Sequence, residues 1–269
     1  MPELPEVETL CRQLTQVILD KNVLGIEIFD PKLSAGEGLA GVRVLSAVRQ
    51  GKVLEIKFDA GITMLLHLRL TGRLLWQRDS RLPLPHTRFT IFFLHGRLDC
   101  IDPRRFATLS VQKTISPDSA ASVMDPLKDF HASRLWELAR KRKIPVKSFL
   151  MDQHIIAGIG NIYACEILYA ASINPCQRSD SLSLSKWQKI EEATIAILNR
   201  AIACRGTTVS DWRDLFGRKG EYQNYLKVYA SGGQPCNRCR SDIQYMHLQG
   251  RGTYFCPTCQ KNEAQIRLF

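Results

Sequence analysis

The sequence contains no hydrophobic run long enough to cross a bilayer as a helix. Its most apolar stretch, residues 64–70, is interrupted by His67 and Arg69, whereas a membrane-spanning helix needs about 20 apolar residues. We also expect no secretory signal, because three glutamates lie within the first eight residues, where a signal peptide carries positive charge and then an apolar stretch. We find no internal repeat and no low-complexity tract. We therefore expect a cytoplasmic protein that has no membrane partner.

Acidic residues are scarce relative to basic ones. The chain of 269 residues has 26 Asp and Glu against 37 Lys and Arg, which gives a formal net charge of +11. On charge alone, such an excess points to a polyanionic partner, either nucleic acid or an anionic membrane surface. The alternative is a basic soluble protein without such a partner.

A disulfide framework is not expected, because thiols stay reduced in the cytoplasm. Five of the nine cysteines are scattered, and they suit small buried positions. The other four form the pattern Cys236-x2-Cys239-x16-Cys256-x2-Cys259, which predicts one structural Zn²⁺ with a closed tetrahedral shell of thiolates. His247 lies between the two pairs as an alternative ligand. A zinc ribbon of this kind can present basic residues to DNA, staple the fold or bind another protein.

Periodicity divides the chain into two halves of different character. Apolar residues at three- and four-residue spacing predict a helix over 5–19. Short β-rich stretches follow at 42–48, 52–58, 62–76, 89–94, 97–101 and 108–111, as in an antiparallel sandwich or barrel. Helical patterns then cover 133–141, 146–151, 161–171 and 185–203. The fold class is therefore predicted as α+β.

Three further motifs could carry chemistry. The turn Gly158-Ile159-Gly160-Asn161 opens a predicted helix, where backbone N–H groups and the helix dipole favour a phosphate. Asp102-Pro103-Arg104-Arg105-Phe106 places an arginine beside an aromatic ring on a turn, as in side chains that enter a duplex. Each motif is also compatible with a purely structural role.

The third motif is the N-terminus. Removal of Met1 would give Pro2 a free secondary amine. An α-amino group has a pKa of about 8, so much of it is neutral and nucleophilic near neutral pH. Glu3 follows as a possible proton donor.

Together these residues resemble the formamidopyrimidine-DNA glycosylase family. The resemblance runs in order from Pro2-Glu3-Leu4-Pro5-Glu6-Val7-Glu8-Thr9 through Gly51-Lys52 and His67-Leu68-Arg69-Leu70-Thr71-Gly72 to the motifs above, and ends at Cys259-Gln260. It implies an N-terminal helix with an antiparallel β-sandwich, and a helical helix-two-turn-helix domain that carries a zinc ribbon. The expected domains are 1–113, a linker at 114–130, 131–230 and a zinc finger at 231–269, and DNA is expected in the cleft between the two main parts.

The resemblance also implies roles for individual residues. Pro2 corresponds to the nucleophile, Glu3 to a general acid, Lys52 to a proton donor in β-elimination, and Arg251 to a residue of phosphate binding and δ-elimination. Leu70, Arg104 and Phe106 correspond to side chains that fill the gap left by a flipped base. The other matched DNA contacts are His67, His86, Lys143, Lys147 and Asn161.

The implied activity is base-excision repair by a monomer that acts on double-stranded DNA with a damaged base. Oxidised purines such as 8-oxoguanine and formamidopyrimidines would be removed through a proline Schiff base, followed by β,δ-elimination. Two alternatives are an endonuclease VIII-like glycosylase for oxidised pyrimidines and a catalytically silent DNA-binding homologue. Two departures bear on specificity: Arg69-Leu70 replaces the family's usual Gly-Met, and the loop 211–221 has the apolar tip Leu215-Phe216.

Overall fold

The structure is a computed structural model that describes residues 1–33, 38–78, 83–113 and 123–262. The chain forms two compact units. The first comprises Met1–Ser119 and Ala201–Gln223, and the second comprises Ala120–Arg200 and Asn224–Phe269. Residues 114–122 of the predicted linker and 263–269 of the predicted zinc finger lie outside the described residues.

The first unit begins with helix α1, Leu4–Ile18. Glu3 is its N-cap, and proline at the second helical position is tolerated because its missing N–H has no intrahelical partner there. The apolar side chains Val7, Leu10 and Leu14 are almost fully buried along one face. The prediction of a helix over 5–19 is confirmed, with a difference of one residue at each end.

Two four-stranded antiparallel sheets follow α1 in the first unit. The strands are β1 Gly25–Ile28, β2 Val44–Gln50, β3 Val53–Phe58, β4 Ile62–His67, β5 Arg73–Gln77, β6 Thr87–Phe93, β7 Gly96–Ile101 and β8 Thr108–Lys113. The strand orders of the two sheets are β1-β6-β7-β5 and β2-β3-β4-β8. Buried side chains of both sheets, such as Met64 and Leu98, belong to one core that also includes the inner face of α1. The predicted sandwich is therefore confirmed.

The predicted stretch 62–76 is two strands rather than one. A turn at residues 68–72 separates β4 from β5, and the Gly72 N–H donates to the Leu68 carbonyl over 3.0 Å. A Cβ atom at Gly72 would lie 2.4 Å from that oxygen, so only glycine fits the turn. The strand β1 was not predicted, because four residues are too few to show an alternating pattern.

The second unit contains four helices of the chain's C-terminal half. Their bounds agree with the predicted helices to within two residues. None of the helices in the described ranges is long and apolar enough to cross a membrane. The helices are α2 Ala132–Ala139, α3 Val146–Leu150, α4 Asn161–Ala170 and α5 Leu184–Ala203, whose last three residues belong to the first unit. Short 3-10 turns occur at Ser179–Ser181 and Tyr222–Tyr225.

A two-stranded hairpin completes the second unit. Strands β9, Gln244–Leu248, and β10, Arg251–Phe255, pair antiparallel, with Arg251 opposite Leu248. The two residues between them, Gln249 and Gly250, both have positive φ angles. This is the geometry of the tight turns whose twist matches paired strands, and it places Arg251 directly after the hairpin tip.

Candidate active site and nucleic-acid interface

The N-terminus is held by a buried carboxylate. Glu6 accepts the backbone N–H of Glu3 over 2.8 Å and that of Thr207 over 2.7 Å. Gly206 allows this approach, because a Cβ atom there would lie 2.7 Å from the Glu6 Oε1. Pro2 and Glu3 are buried. The first residues therefore have a defined position against the segment 206–207, although Glu6 was not among the predicted site residues.

Gln13 makes a second link between α1 and the segment that follows Thr207. Its side-chain N–H donates to the Asp214 carboxylate over 2.9 Å, and its carbonyl oxygen accepts the Leu215 N–H over 2.9 Å. Gln13 and Asp214 are both buried. Glu6 and Gln13 lie seven residues apart on one face of α1, so a pair of polar residues at buried helical positions was the signal that could have identified them.

The loop predicted to have an apolar tip exposes one large apolar side chain rather than two. Leu215 is fully buried in the sandwich core, and its carbonyl accepts the Trp76 N–H over 2.8 Å. Phe216 is 40% exposed, with the Arg218 guanidinium 5.4 Å from its ring centroid. The Asp214 carboxylate fixes this bend by accepting the backbone N–H groups of Phe216 and Arg218. Phe216 is thus the large apolar side chain that this loop exposes.

Lys52 lies in the tight turn between β2 and β3. The neighbouring Gly51 has φ of +58°, and its carbonyl accepts from the buried Arg49, which also pairs with Glu8 on α1 over 3.3 Å. Through Arg49, the lysine's turn is attached to the helix that begins beside Pro2. The half-buried Lys52 is therefore part of the same unit as the N-terminus.

His67, at the end of β4, is neutral at physiological pH. Its pKa is lowered from 6.5 to about 4, mainly by burial and also by the positive charges of Arg69 and Lys52. The ring Nδ1 accepts the backbone N–H of Arg69 over 2.9 Å. Since Nδ1 is an acceptor, the proton of the neutral ring is on Nε2, which can donate to an anion.

The three side chains predicted to fill a base-pair gap lie on two surface loops of the first unit. Leu70 is 47% exposed and Phe106 is 43% exposed. The exposed Arg104 places its guanidinium 4.7 Å from the Phe106 ring centroid, so the two side chains form a stacked pair. Arg105 instead pairs with the buried Asp30. His86 is exposed, and its carbonyl accepts the Asp102 N–H over 3.0 Å.

In the second unit, Asn161 is the first residue of α4. The glycine-rich turn before it is organised by Gln153, whose side chain donates to the Ile159 carbonyl and accepts the Gly158 N–H over 2.8 and 2.9 Å. The Asn161 side-chain N–H donates to the Gly252 carbonyl over 2.9 Å. The predicted phosphate-binding turn is therefore tied to the β9–β10 hairpin.

Lys147 is bound to the same carbonyl. Only 1% of its surface is exposed, and its Nζ donates to the Gly252 oxygen over 3.0 Å and to the Thr253 hydroxyl over 2.7 Å. These contacts immobilise the backbone that follows Arg251. Lys143, another predicted DNA contact, is exposed instead of buried. Arg251 itself is exposed and lines a cavity of about 170 Å³ together with Lys147, Ser148 and Gln249. Met151 and Leu248 also line this cavity, and its exposed cation is Arg251, because the Lys147 ammonium is bound to Gly252 and Thr253.

The four predicted cysteine ligands come together in the second unit. Their sulfur atoms all lie within 4.8 Å of one another, and Sγ–Sγ distances include 3.9 Å for Cys236–Cys259 and 3.4 Å for Cys239–Cys256. Zinc bonds of about 2.3 Å in a tetrahedron require sulfur separations of about 3.8 Å, so the donor set fits one structural zinc. His247 is not part of this cluster and contacts the Tyr245 hydroxyl over 3.0 Å.

Sequence families match nearly the whole described chain. The formamidopyrimidine-DNA glycosylase N-terminal domain matches residues 1–109, and the H2TH domain of the same glycosylase matches 123–212. The zinc finger found in FPG and IleRS matches 233–262.

Individual relatives agree with this result. The formamidopyrimidine-DNA glycosylases of Desulfitobacterium hafniense and Chloroflexus aggregans are 36% and 35% identical, over 97% of this chain and 100% and 98% of their own. Among solved structures, a Lactococcus lactis FPG mutant in complex with Fapy-dG DNA has a TM-score of 0.89 and 31% identity, with 97% and 100% coverage. The L. lactis complex with abasic-site DNA has a TM-score of 0.88.

Proposed function

The chain belongs to the formamidopyrimidine-DNA glycosylase family, and from that premise we propose that Pro2 is the nucleophile of its reaction on oxidised purines. The protein is a base-excision-repair enzyme that acts as both an N-glycosidase and an AP lyase. The observation that carries the proposal is the buried Pro2–Glu3 pair, which the Glu6 carboxylate holds at the start of α1. Such a fixed position is what a nucleophile needs to approach a sugar carbon.

The reaction follows from the chemistry of a secondary amine. Once Met1 is removed, the Pro2 nitrogen attacks C1′ of the damaged nucleotide, and the bond from C1′ to the base breaks as the base leaves with a proton. Loss of the proton on nitrogen and opening of the sugar ring give an iminium ion. The iminium draws electrons from C2′, so that a C2′ proton is lost and the 3′ phosphate leaves. A second elimination expels the 5′ phosphate.

Other side chains supply or remove protons and bind phosphate. We assign Glu3 as the acid that protonates the opening sugar oxygen, and Lys52 as a proton donor during β-elimination. Arg251 would bind the phosphate that leaves in δ-elimination, and the exposed position beside the hairpin tip supports this role. None of these steps uses zinc, whose four thiolates leave no open position for a reacting group.

Binding of damaged DNA requires that the target base leaves the stack. Leu70, Arg104 and Phe106 would occupy the resulting gap and offset part of the cost of unstacking. Contacts from His67, His86, Lys143 and the start of α4 at Asn161 would position the phosphate backbone without reading sequence.

For Lys147, the geometry supports a positioning role rather than a direct DNA contact. Its ammonium is buried and bound to the backbone after Arg251. A buried charge that already donates to two protein oxygens has little to gain from a phosphate. We propose that Lys147 keeps the hairpin in the conformation that presents Arg251.

We further propose that the enzyme works as a monomer, in the bacterial cytoplasm where the chromosomal DNA lies, with functional domains near 1–113, 131–230 and 231–269. Size-exclusion chromatography with light scattering tests the first point. With lesion-bearing DNA, the mass of one chain plus one duplex is expected, and a complex of two chains with one duplex would contradict it.

Borohydride trapping tests the catalytic proposal. We expect a covalent protein–DNA adduct with 8-oxoguanine opposite cytosine, and mass spectrometry of its peptides should locate the bond at Pro2. A matched protein with an uncleaved N-terminal tag should bind the DNA but form no adduct. An adduct on another residue, or equal activity of the tagged protein, would refute the role of Pro2. Faster excision of thymine glycol than of 8-oxoguanine would favour the endonuclease VIII-like alternative.

A further inference from the structure

The carboxylate of Asp102 joins two surface loops of the first unit. Asp102 directly follows β7 and is fully buried. Its Oδ1 accepts the hydroxyl of Thr71 over 2.5 Å and the backbone N–H of Arg104 over 3.2 Å. Its Oδ2 accepts the backbone N–H groups of Phe106 and Ala107, both over 2.7 Å. One side chain thus joins its own loop to Thr71, which lies 31 positions earlier in the sequence.

The two loops are those that expose the proposed gap-filling side chains. Thr71 is the neighbour of Leu70 in the turn between β4 and β5, and the N–H groups bound by Oδ2 belong to Phe106 and the residue after it. Both exposed side chains are therefore within one residue of a hydrogen bond to the same carboxylate. A shift of either loop would break a bond to a buried charge, which is energetically costly.

Asp102 also forms an ion pair with a buried arginine. Arg88 is buried and lies 3.4 Å from the Asp102 Oδ2, and it also pairs with Asp30, the partner of Arg105. Burial raises the pKa of Asp102, but the hydrogen bonds from Thr71 and from the loop N–H groups outweigh it and lower the pKa overall. The carboxylate is therefore ionised and cannot leave its position without separating these partners.

We propose that Asp102 is a positioning residue that couples the two loops, so that Leu70 and Phe106 enter the gap of a flipped base as one unit. The proposal rests on the insertion role given to these side chains above. Because both loops share one carboxylate, the position of Leu70 depends on that of Phe106. Insertion would then be energetically favourable only when both side chains fit. The two loops would therefore select DNA whose gap has the right size.

A double-mutant cycle measures this coupling. The single-turnover rate of 8-oxoguanine excision is determined for the wild type, Leu70→Ala, Phe106→Ala and the double variant. We expect the two effects to be non-additive by about threefold or more, as for residues that share a hydrogen-bond network. In a Thr71→Val background, which keeps the volume but removes the hydroxyl, the effects should become additive. Thr71→Ser, which keeps the hydroxyl, should restore the coupling.

The outcomes separate this inference from the proposed function. If Leu70→Ala and Phe106→Ala are each without effect, the insertion role itself is wrong. If each is impaired but their effects are additive in the wild-type background, insertion stands and the coupling is refuted. Coupling that survives in Thr71→Val would also overturn the inference, since it would be carried by DNA or by another contact. Thermal unfolding checks that each variant is folded, and Thr71→Ala is a second hydroxyl-deficient background.

Discussion

Arg69 adopts a backbone conformation that suits glycine. Its φ of +55° lies in the left-handed region, where a Cβ atom costs about 1 kcal/mol. We expect Arg69→Gly to be more stable than Arg69→Ala by about 1 kcal/mol, since both remove the charge and only one removes the Cβ atom. The free energies of unfolding from urea titrations test this. Equal stabilities would mean that the turn at 68–72 relaxes around residue 69.

The ring of His67 should remain neutral over the working range of pH. Its pKa in the folded protein is about 4, below the ordinary value of 6.5. The neutral ring therefore contributes stability that is present above pH 6.5 and is lost as the pH falls towards 4. NMR titration of the His67 ring should show a midpoint below pH 5. The free energy of unfolding should depend less on pH in His67→Gln than in the wild type. A midpoint near 6.5 would contradict the burial of the ring beside Lys52 and Arg69.

At the scale of elements, α1 is both a core helix and the helix that begins beside the proposed nucleophile Pro2. Its apolar face packs into the sandwich, whereas Glu6 and Gln13 bind residues 207–215. The helix therefore places Pro2 relative to a loop that is distant in sequence. Stability and activity should respond together when this attachment is weakened.

Gln13→Ala tests that attachment. The change leaves the buried Asp214 without one donor and the Leu215 N–H without its acceptor, so the free energy of unfolding should fall by about 1–3 kcal/mol. Gln16→Ala is the matched control on the exposed face of the same helix, and it should change stability by less than about 0.5 kcal/mol. Similar losses in both variants would show that the two hydrogen bonds are not responsible, since alanine is a better helix former than glutamine and propensity alone would not lower stability.

The zinc ribbon supports the hairpin that carries Arg251. Cys236 and Cys256 are buried within the small core beneath it, beside Tyr169 and Val228 of the second unit. We expect Cys256→Ser to lose its zinc and to bind abasic-site DNA at least about tenfold more weakly, because structural zinc contributes directly to folding. Metal analysis and fluorescence anisotropy measure the two effects.

Cys204→Ser is the control for this experiment, since Cys204 is not part of the cysteine cluster. It should keep both zinc and affinity. Undiminished binding by a zinc-free Cys256→Ser protein would refute the role of the ribbon in DNA binding.

At the scale of the whole molecule, the net charge of +11 predicts binding that depends strongly on salt. Phosphate contacts release counterions from DNA, so affinity for undamaged duplex should fall by about tenfold or more between roughly 50 and 200 mM salt. Fluorescence anisotropy across this range gives the slope. A flat response would mean that few basic side chains reach the DNA backbone. Lys143→Ala should reduce the slope of log affinity against log salt concentration by about one.

Local sequence patterns predicted those features of the molecule that depend on residues close together in the sequence. The periodicity of α1, the spacing of the cysteine pairs and the start of α4 after its glycines were all predicted correctly, because helix geometry and zinc ligation impose regular spacing. The stretch 62–76 was misread as one strand, since the turn at Gly72 depends on a close approach to the Leu68 carbonyl rather than on polarity. The family resemblance implied a DNA contact for Lys147, whereas its burial depends on Gly252 and Thr253, which lie 105 and 106 positions away and leave no local pattern.

The sequence by itself determined the fold class, the zinc ligands and the family, because each is encoded by residue types at characteristic spacing. Only the tertiary structure decided that residues 201–223 return to the N-terminal unit, that Glu6 and Gln13 hold that segment, and that Asp102 serves two loops at once. The physical reason is that a buried polar group takes its partners from whatever the fold brings within about 3 Å. Those partners can lie 200 residues away, as Thr207 and Leu215 do, and no local pattern records them.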